Sequence, residues 1–373
     1  MRGRCYIKIR ETADLNMIGG ITLILEDFMV SEEDSVLQVM RIIDKNGRGI
    51  AFVCDNGNLL AVVTDGDIRR YIIHNGDLNN SINHIANYTP KYVFQDEIIS
   101  YDKYMKKNFI TAIPVISRDK KLLSIHFLND GQALKKRKVK APVVIMAGGK
   151  GTRLYPYTQI LPKPLIPVGD KTITELIMDR FEAFDCKAFD LIVNYKKNFI
   201  KSYFTDNEVT RNVQFIEEKE YYGTGGGLKL LEGKYSEPFF MTNCDILLEE
   251  DYYEIMNTHK EANNIITIVA ATKNVTIPYG TIQVSDTGQV QQLKEKPNFS
   301  FLTNTGFYVI SPEFLKRIPE NTFIHITDII QNCIKEGDKV GIYPVNESAW
   351  MDMGQLEELE KMRERLEEDA RKA

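Results

Sequence analysis

The apolar run Val143-Val-Ile-Met-Ala147 passes directly into Gly148-Gly-Lys-Gly-Thr-Arg-Leu154. A short apolar segment that ends in glycines reads as a buried strand feeding a loop whose backbone amides can close around phosphate. In open α/β sheets such loops lie at the carboxyl ends of strands, where ligands bind. The chain beyond this loop keeps alternating between strand and helix. Helices are expected at 172–185, 249–261 and 327–336, and strands at 189–194, 213–217, 238–243, 265–271 and 304–310. That alternation predicts a mostly parallel, doubly wound, Rossmann-like α/β sheet with helices on both faces.

The residues before this strand have a different grammar. Ser31 with Asp34 is expected to cap a helix reading VLQVMRIIDKN, closed by Gly47, followed by strands IAFVC and LLAVVT across Asp55-Asn56-Gly57 and a second helix from Asp67. The order then recurs more faintly: a helix from Asp96-Glu97 to about Asn108, then TAIPVIS and KLLSIHFL across Arg118-Asp119-Lys120. A repeat of about 60 residues predicts an α+β pair. The division read from the chain is an extension at 1–23, a paired module at 24–131, a linker at 132–140 and a catalytic domain at 141–373.

With a net charge of −5 and only one basic run, Lys135 to Lys140, the chain lacks the basic excess of a nucleic-acid binder, and the run reads as a solvated linker. Five cysteines, odd in number and without a CxxC pair, argue against a disulfide framework or a zinc site. No segment reaches the roughly 18 apolar residues of a membrane span, and the first residues lack the apolar core of a signal peptide. The expectation is a cytoplasmic protein without membrane or nucleic-acid partners.

Two familiar loops do not fit Gly148–Leu154. A P-loop carries its lysine after the last glycine and continues into a helix, whereas Lys150 lies inside the glycines and Pro156 comes soon after; a dinucleotide loop needs a third glycine where Leu154 stands. The full pattern from Ala147 to Pro156, followed by Leu161-Pro162-Lys163-Pro164-Leu165, instead resembles the signature of the sugar nucleotidyltransferases. Further matches span nearly all of 141–365: Gly223-Thr224-Gly225-Gly226-Gly227, Asn243-Cys244-Asp245, Glu295-Lys296-Pro297, Asn304-Thr305-Gly306 and Trp350-Met-Asp352-Met-Gly354. Cys244 stands where many relatives have glycine.

The resemblance implies roles for these residues. Ala147, Gly148, Gly149, Gly151 and Thr152, with Gly223, Thr224 and Gly225, would hold the nucleotide; Arg153 and Lys163 would act on the phosphates. Asp245 and Asp352 would bind Mg²⁺, and Glu295, Lys296, Asn304, Thr305 and Gly306 would hold the sugar. The implied reaction joins a nucleoside triphosphate to a sugar-1-phosphate and releases pyrophosphate.

The N-terminal pair resembles tandem CBS domains. In that family the segment matched by Thr64-Asp65-Gly66-Asp67 holds an adenine nucleotide, so Thr64, Asp65 and Asp67 are the candidate contacts for a purine nucleotide effector, while Phe127 departs from the pattern in the second repeat. The pair also implies a homodimer or homotetramer, with the helix expected at 355–369 as an added contact. The combination resembles the guanylyltransferases that make GDP-glucosamine for legionaminic acid, which points to GTP and glucosamine-1-phosphate. Other bases (CTP, UTP, dTTP) and sugars (mannose-, glucose- or heptose-1-phosphate) stay open, as do a non-catalytic nucleotide sensor and a regulator of sugar-phosphate isomerisation. A decayed transferase would lose Arg153, Lys163, Asp245 or Asp352 first, and all four are present.

Overall fold

The computed structural model describes residues 17–18, 21–22, 24–74, 76–97, 99–108, 110–127, 137–205, 211–354 and 358–363. Most of the extension at 1–23, part of the linker and most of the helix expected at 355–369 lie outside them. The chain divides into two compact units, Met1–Ala133 and Leu134–Ala373.

In the first unit, β1 (Met29–Val30), α1 (Val36–Asn46), β2 (Ile50–Asp55), β3 (Asn58–Thr64) and α2 (Asp65–Ile73) form one repeat. The second comprises β4 (Val93–Phe94), α3 (Tyr101–Asn108), β5 (Ala112–Ile116) and β6 (Leu122–Phe127). Each repeat makes a three-stranded sheet in which its first strand runs parallel to the first strand of a hairpin. Phe28, Ile50, Phe52 and Leu59 of one repeat share a core with Ala112, Ile116, Leu122 and Phe127 of the other. The helix expected to be capped by Ser31 and Asp34 begins instead behind Ser35. Ser35 forms a reciprocal capping box with Gln38, while Asp34 accepts from Ser31 N at 2.8 Å. Gly47 ends the helix at φ 63°, as its place in the sequence suggested. The second repeat's helix starts at Tyr101, later than the Asp96 expected.

The second unit is built on β7 (Val143–Met146), α4 (Ile173–Glu182), β8 (Ala188–Val193), α5 (Lys197–Thr205), β9 (Asn212–Glu217), β10 (Phe239–Asn243), β11 (Ile246–Leu248), α6 (Tyr252–Ala262), β12 (Ile266–Thr276), β13 (Thr281–Val284), β14 (Val290–Lys294), β15 (Asn298–Ile310), α7 (Ile326–Lys335), β16 (Val340–Asn346) and β17 (Trp350–Asp352). A seven-stranded sheet runs in the order β9-β8-β7-β10-β15-β12-β16. Every neighbouring pair is parallel except those made by β15, which is antiparallel to both β10 and β12. Cores lie on both faces of the sheet, one around Phe181, Phe240, Tyr252 and Phe307 and the other around Phe239, Tyr308, Phe314 and Ile329. Both faces being covered is why the central strands are apolar without alternation.

The basic run is not simply solvated. Among its described residues, Arg137 pairs with Asp251 at 3.2 Å and with Glu254, and its guanidinium lies 4.3 Å from the Tyr253 ring centroid, which fastens the run to the start of α6. Among the described residues no helix is long and apolar enough to cross a membrane, and the four described cysteines, Cys54, Cys186, Cys244 and Cys333, are unpaired thiols.

A buried polar network joins α6 to the sheet. Ser311 donates to the Asn264 carbonyl at 2.8 Å, so it receives the His259 Nε2 proton at 2.9 Å, leaving Nδ1 to accept from Thr267 at 2.8 Å. This places His259 in its neutral form, and burial lowers its pKa from 6.5 to about 4. A depressed folded-state pKa stabilises the fold above the unfolded value; that contribution is lost as pH falls from 6.5 toward 4 and amounts at most to about 3 kcal/mol. A histidine-selective NMR titration should give His259 a midpoint near 4, with urea stability falling over the same range. A midpoint near the ordinary 6.5 would contradict the network.

Candidate active site

The glycine loop leaves β7 at the carboxyl edge of the sheet, and three further segments meet it there. The 3₁₀ turn Thr152–Leu154 comes after Gly151, whose backbone sits at φ 65°, in the left-handed region that glycine tolerates best. A side chain at Gly151 would also press on Lys163, with its Cβ 2.9 Å from the Lys163 Cβ. The loop therefore folds back onto the Pro162-Lys163-Pro164 segment, and Thr158, which lies between the two in sequence, donates to the Gly151 carbonyl at 3.0 Å. This close approach gives the joint occurrence of the two motifs a physical reason.

Asp245 and Asp352 are brought together by a small antiparallel ribbon. β11 pairs with β17 so that Ile246 stands opposite Asp352, and Met353 N donates to the Asp245 carbonyl at 2.8 Å. Lys163 Nζ forms an ion pair with Asp245. Arg153 lies 3.9 Å from Asp245 and 4.0 Å from Asp352. Burial, and then the neighbouring Asp245 charge, raise the pKa of Asp352. Gly354 leaves room for the convergence, since a methyl there would collide with both carboxylates and come within 3.1 Å of Lys163 Nζ.

Arg153, Lys163, Asp245 and Gly354 line a cleft of about 290 Å³, and Asp352 accepts from Gly354 N at 2.9 Å without itself lining it. Its walls include Gly148, Gly149, Gly151, Thr152, Arg153, Lys163, Gly223, Thr224 and Asp245. Ala147 sits just behind, its N–H donating to Ile192 at 2.8 Å. Gly225 serves packing: its N–H donates to the Ile324 carbonyl at 3.0 Å, and an added Cβ would lie 2.8 Å from Ile326 N. The glycine run thus lets the segment 322–326 lie directly on it, while Gly223 and Thr224 face the cleft.

Glu295, Lys296, Asn304, Thr305 and Gly306 are not on the cleft wall. Thr305 is buried and donates to the Val269 carbonyl at 2.8 Å, and Asn304 donates to Tyr308 at 2.8 Å. Gly306 backs onto Asn243, a wall residue, at 2.5 Å from a built Cβ. Glu295 stands 3.0 Å from where Gly280 would carry a Cβ.

Glu218 belongs to none of the sequence motifs, yet it lies in the cleft wall. It is 2% exposed, its Oε1 accepts from Tyr222 N at 3.3 Å, and its Oε2 is buried without a partner, next to Gly148. Burial raises its pKa to about 7. The available signal was the pair Glu217-Glu218 at the end of a strand. Alternation turns one carboxylate outward to Lys197 and Lys201 and the other inward.

The first unit holds a cavity of about 340 Å³ with an apolar floor that includes Ile50, Phe52 and Val62, and polar groups including Thr64, Asp67, Asn87, Thr89 and Lys91. Thr64 and Asp67 are already bonded to each other in a capping box, and Asp67 also pairs with Arg70 at 2.5 Å. Asp65 lies outside the cavity wall; its N–H donates to the Gly49 carbonyl at 3.0 Å. Phe127 is buried, with its ring centroid 5.4 Å from that of Phe28 and 5.1 Å from the Arg48 guanidinium.

Residues 142–369 match the nucleotidyl transferase family over more than half of the chain. The chain belongs to that family. Residues 23–74 match the CBS domain family. Among curated proteins, a bifunctional GlmU of Methanococcus aeolicus is 33% identical over 57% of this chain and 51% of its own length. A mannose-1-phosphate guanyltransferase of Yarrowia lipolytica is 32% identical over 57% of this chain and 60% of its own length. This nucleotidyl transferase thus spans about half to three fifths of the curated relatives it matches. Among solved structures, HddC of Yersinia pseudotuberculosis is 26% identical, with a TM-score of 0.48, covering 61% of this chain and 99% of that one.

The loop geometry separates two neighbouring glycines. Gly151→Ala combines a positive φ with a 2.9 Å contact, whereas Gly149→Ala meets nothing within 4 Å. Urea unfolding should show Gly151→Ala destabilised by about 1–3 kcal/mol and Gly149→Ala within ~0.5 kcal/mol of wild type. Equal losses would mean that the loop does not close on Lys163.

Proposed function

We propose that the chain is a sugar-1-phosphate nucleotidyltransferase, with GTP and glucosamine-1-phosphate as the favoured pair. The observation that carries this reading is the meeting of Arg153, Lys163, Asp245 and Asp352, the first three of them in the wall of a cleft that a glycine loop also lines. In the reaction, an oxygen of the sugar phosphate attacks the α-phosphorus in line. A new P–O bond forms as the bond to the bridging oxygen breaks, and pyrophosphate leaves with the electron pair. The nucleophile is already an anion, so catalysis consists of positioning and of offsetting repulsion between polyanions.

The residues present fit a divalent cation. Two converging carboxylates supply the hard oxygen ligands that Mg²⁺ takes, and the ion commonly completes its shell from substrate phosphates. Asp245 and Asp352 would hold the ion, which supplies charge neutralisation at the phosphates. Arg153 would place its guanidinium on the phosphates being separated. Lys163, one turn residue between two prolines, would aim its ammonium at the incoming phosphate. Glu295, Lys296, Asn304, Thr305 and Gly306 stay assigned to the sugar by resemblance.

Glu218 would hold the base. An ionised carboxylate is acceptor-only, and with Oε1 already accepting from Tyr222 N its free Oε2 would accept from one N–H of the base. The choice of guanine rests on the resemblance. The 32% identical guanyltransferase is in keeping with this choice. Ionised Glu218 is the form that binds, so affinity for GTP should fall as pH drops below about 7.

Pyrophosphate release measured with four triphosphates and a panel of sugar-1-phosphates checks both levels. GTP with glucosamine-1-phosphate should be fastest. Glu218→Gln should lower kcat/KM for GTP at least ~10-fold, the scale of one lost hydrogen bond to a charged group, and flatten its dependence on pH. Asp245→Asn and Asp352→Asn should each lose roughly 100-fold or more while remaining folded. Release with no sugar phosphate would sink the activity, indifference to the base would sink the choice of GTP, and an unchanged kcat/KM in Glu218→Gln would sink the role of Glu218.

The N-terminal unit is proposed to bind a purine nucleotide in its cavity and to bias catalysis by about 1–3 kcal/mol. An apolar floor beside polar groups and Lys91 suits a base with its ribose and phosphate. Calorimetric titration of AMP, ATP, GTP and GDP into the full chain and Asp67→Ala should show binding that the variant weakens. No heat with any of the four would reduce this unit to a scaffold.

A further inference from the structure

β8 ends at Val193, and the loop that follows it, Asn194-Tyr195-Lys196, reaches three separate parts of the cleft surround without lining the cleft itself. The Asn194 side-chain amide donates to the Glu218 carbonyl at 3.3 Å. Tyr195 N donates at 3.3 Å to the carbonyl of Gly148, the first glycine of the phosphate loop. Lys196 Nζ donates to the carbonyls of Thr158 at 3.3 Å and Ile160 at 2.9 Å, and to that of Gln159. An ammonium has three N–H groups and no acceptor, so these three carbonyls use all of it. They belong to the one-turn helix Tyr157–Ile160, whose last carbonyls have no helical partner. A lysine at that end is the favourable charge.

Lys196 reaches them from a costly backbone. Its φ of 51° lies in the left-handed region, and such conformations persist in residues other than glycine where the surroundings over-determine them. We propose that this loop is a clamp and that Lys196 is a positioning residue for Lys163. The one-turn helix stands between the phosphate loop and the lysine-bearing turn. Thr158 fastens one side of it to Gly151, and Leu161 and Pro162 alone separate its last residue from Lys163. The Pro162 ring fixes its own φ, so a shift at Ile160 passes to Lys163 with little slack. Holding the carbonyls of 158–160 therefore sets where the Lys163 ammonium stands beside Asp245. The inference rests on the role proposed above for Lys163 and adds what holds that residue in place.

Hydrogen exchange on the full chain tests the clamp without any substrate. The amides of Leu161, Leu165 and Ile166 are bonded to Tyr157, Pro162 and Lys163. In Lys196→Met, which keeps the aliphatic stem and removes the donors, they should exchange at least ~10-fold faster than in wild type, while α4 is unchanged. With the fastest substrate pair, kcat for pyrophosphate release should fall about 10–100-fold and each KM should stay within about twofold. Lys196→Arg, which keeps donors at this end, should restore both slow exchange and most of kcat. In a Lys163→Ala background, Lys196→Met should cost less than about twofold, because nothing is left to position. If Lys196→Met fails to fold, Lys196→Asn gives the same reading, since asparagine accepts this φ more readily. Unchanged exchange at the three amides, a raised KM with kcat kept, an arginine variant as impaired as the methionine one, or a full effect in the Lys163→Ala background would each overturn the proposal. A wild type inactive with every substrate pair would remove the reaction proposed above, and the exchange measurement would still decide the clamp.

Discussion

Two carboxylates brought together with little water around them repel, and the way this is offset organises the catalytic unit. Asp245 and Asp352 come from segments more than a hundred residues apart, and the β11–β17 ribbon forces them to one place. The raised pKa of Asp352 is the mark of that confinement. Lys163 and Arg153 are the cations drawn to it, and each belongs to a motif shaped to reach the pair. Gly354 keeps the space between them open, and Gly151 lets the phosphate loop settle on the lysine-bearing turn. A single cluster of charge thus explains residues from four distant stretches of chain.

The sheet turns this cluster into a site. β7 and β10 are parallel neighbours, with Met146 opposite Asn243, so the glycine loop and the Asn243–Asp245 segment emerge side by side at one edge. The antiparallel β15 brings Gly306 against Asn243 from the other side. Glu218 closes the cleft at the end of β9, buried and with one oxygen unpartnered, where an N–H donor of a ligand would satisfy it. Buried polar atoms without partners are uncommon enough that their position is informative. The first unit follows a different logic, in which two small repeats that could not each bury a core share one between their hairpins.

Much of this was written in local chemistry. Helix and strand positions followed from periodicity because the central strands are covered on both faces and the helices on one. The helices expected at 249–261 and 327–336 appear at Tyr252–Ala262 and Ile326–Lys335. The departures occurred where a neighbouring cap competed, as when Ser35 displaced Ser31 at the start of α1. The long arms of β12 and β15 exceeded their expected spans because their outer halves are exposed and lack the apolar runs that mark a buried strand.

The sequence by itself determined the family, the α/β class, the repeat before it and the residue types able to handle phosphates, because these depend on spacing along the chain. Only the tertiary structure decided that Asp352 faces Asp245, that Gly225 serves packing while Gly223 meets the cleft, and that Glu218 rather than Glu217 points inward. Such facts depend on strand register and on which segments cross in space, and contacts of long sequence separation leave no local periodicity to read.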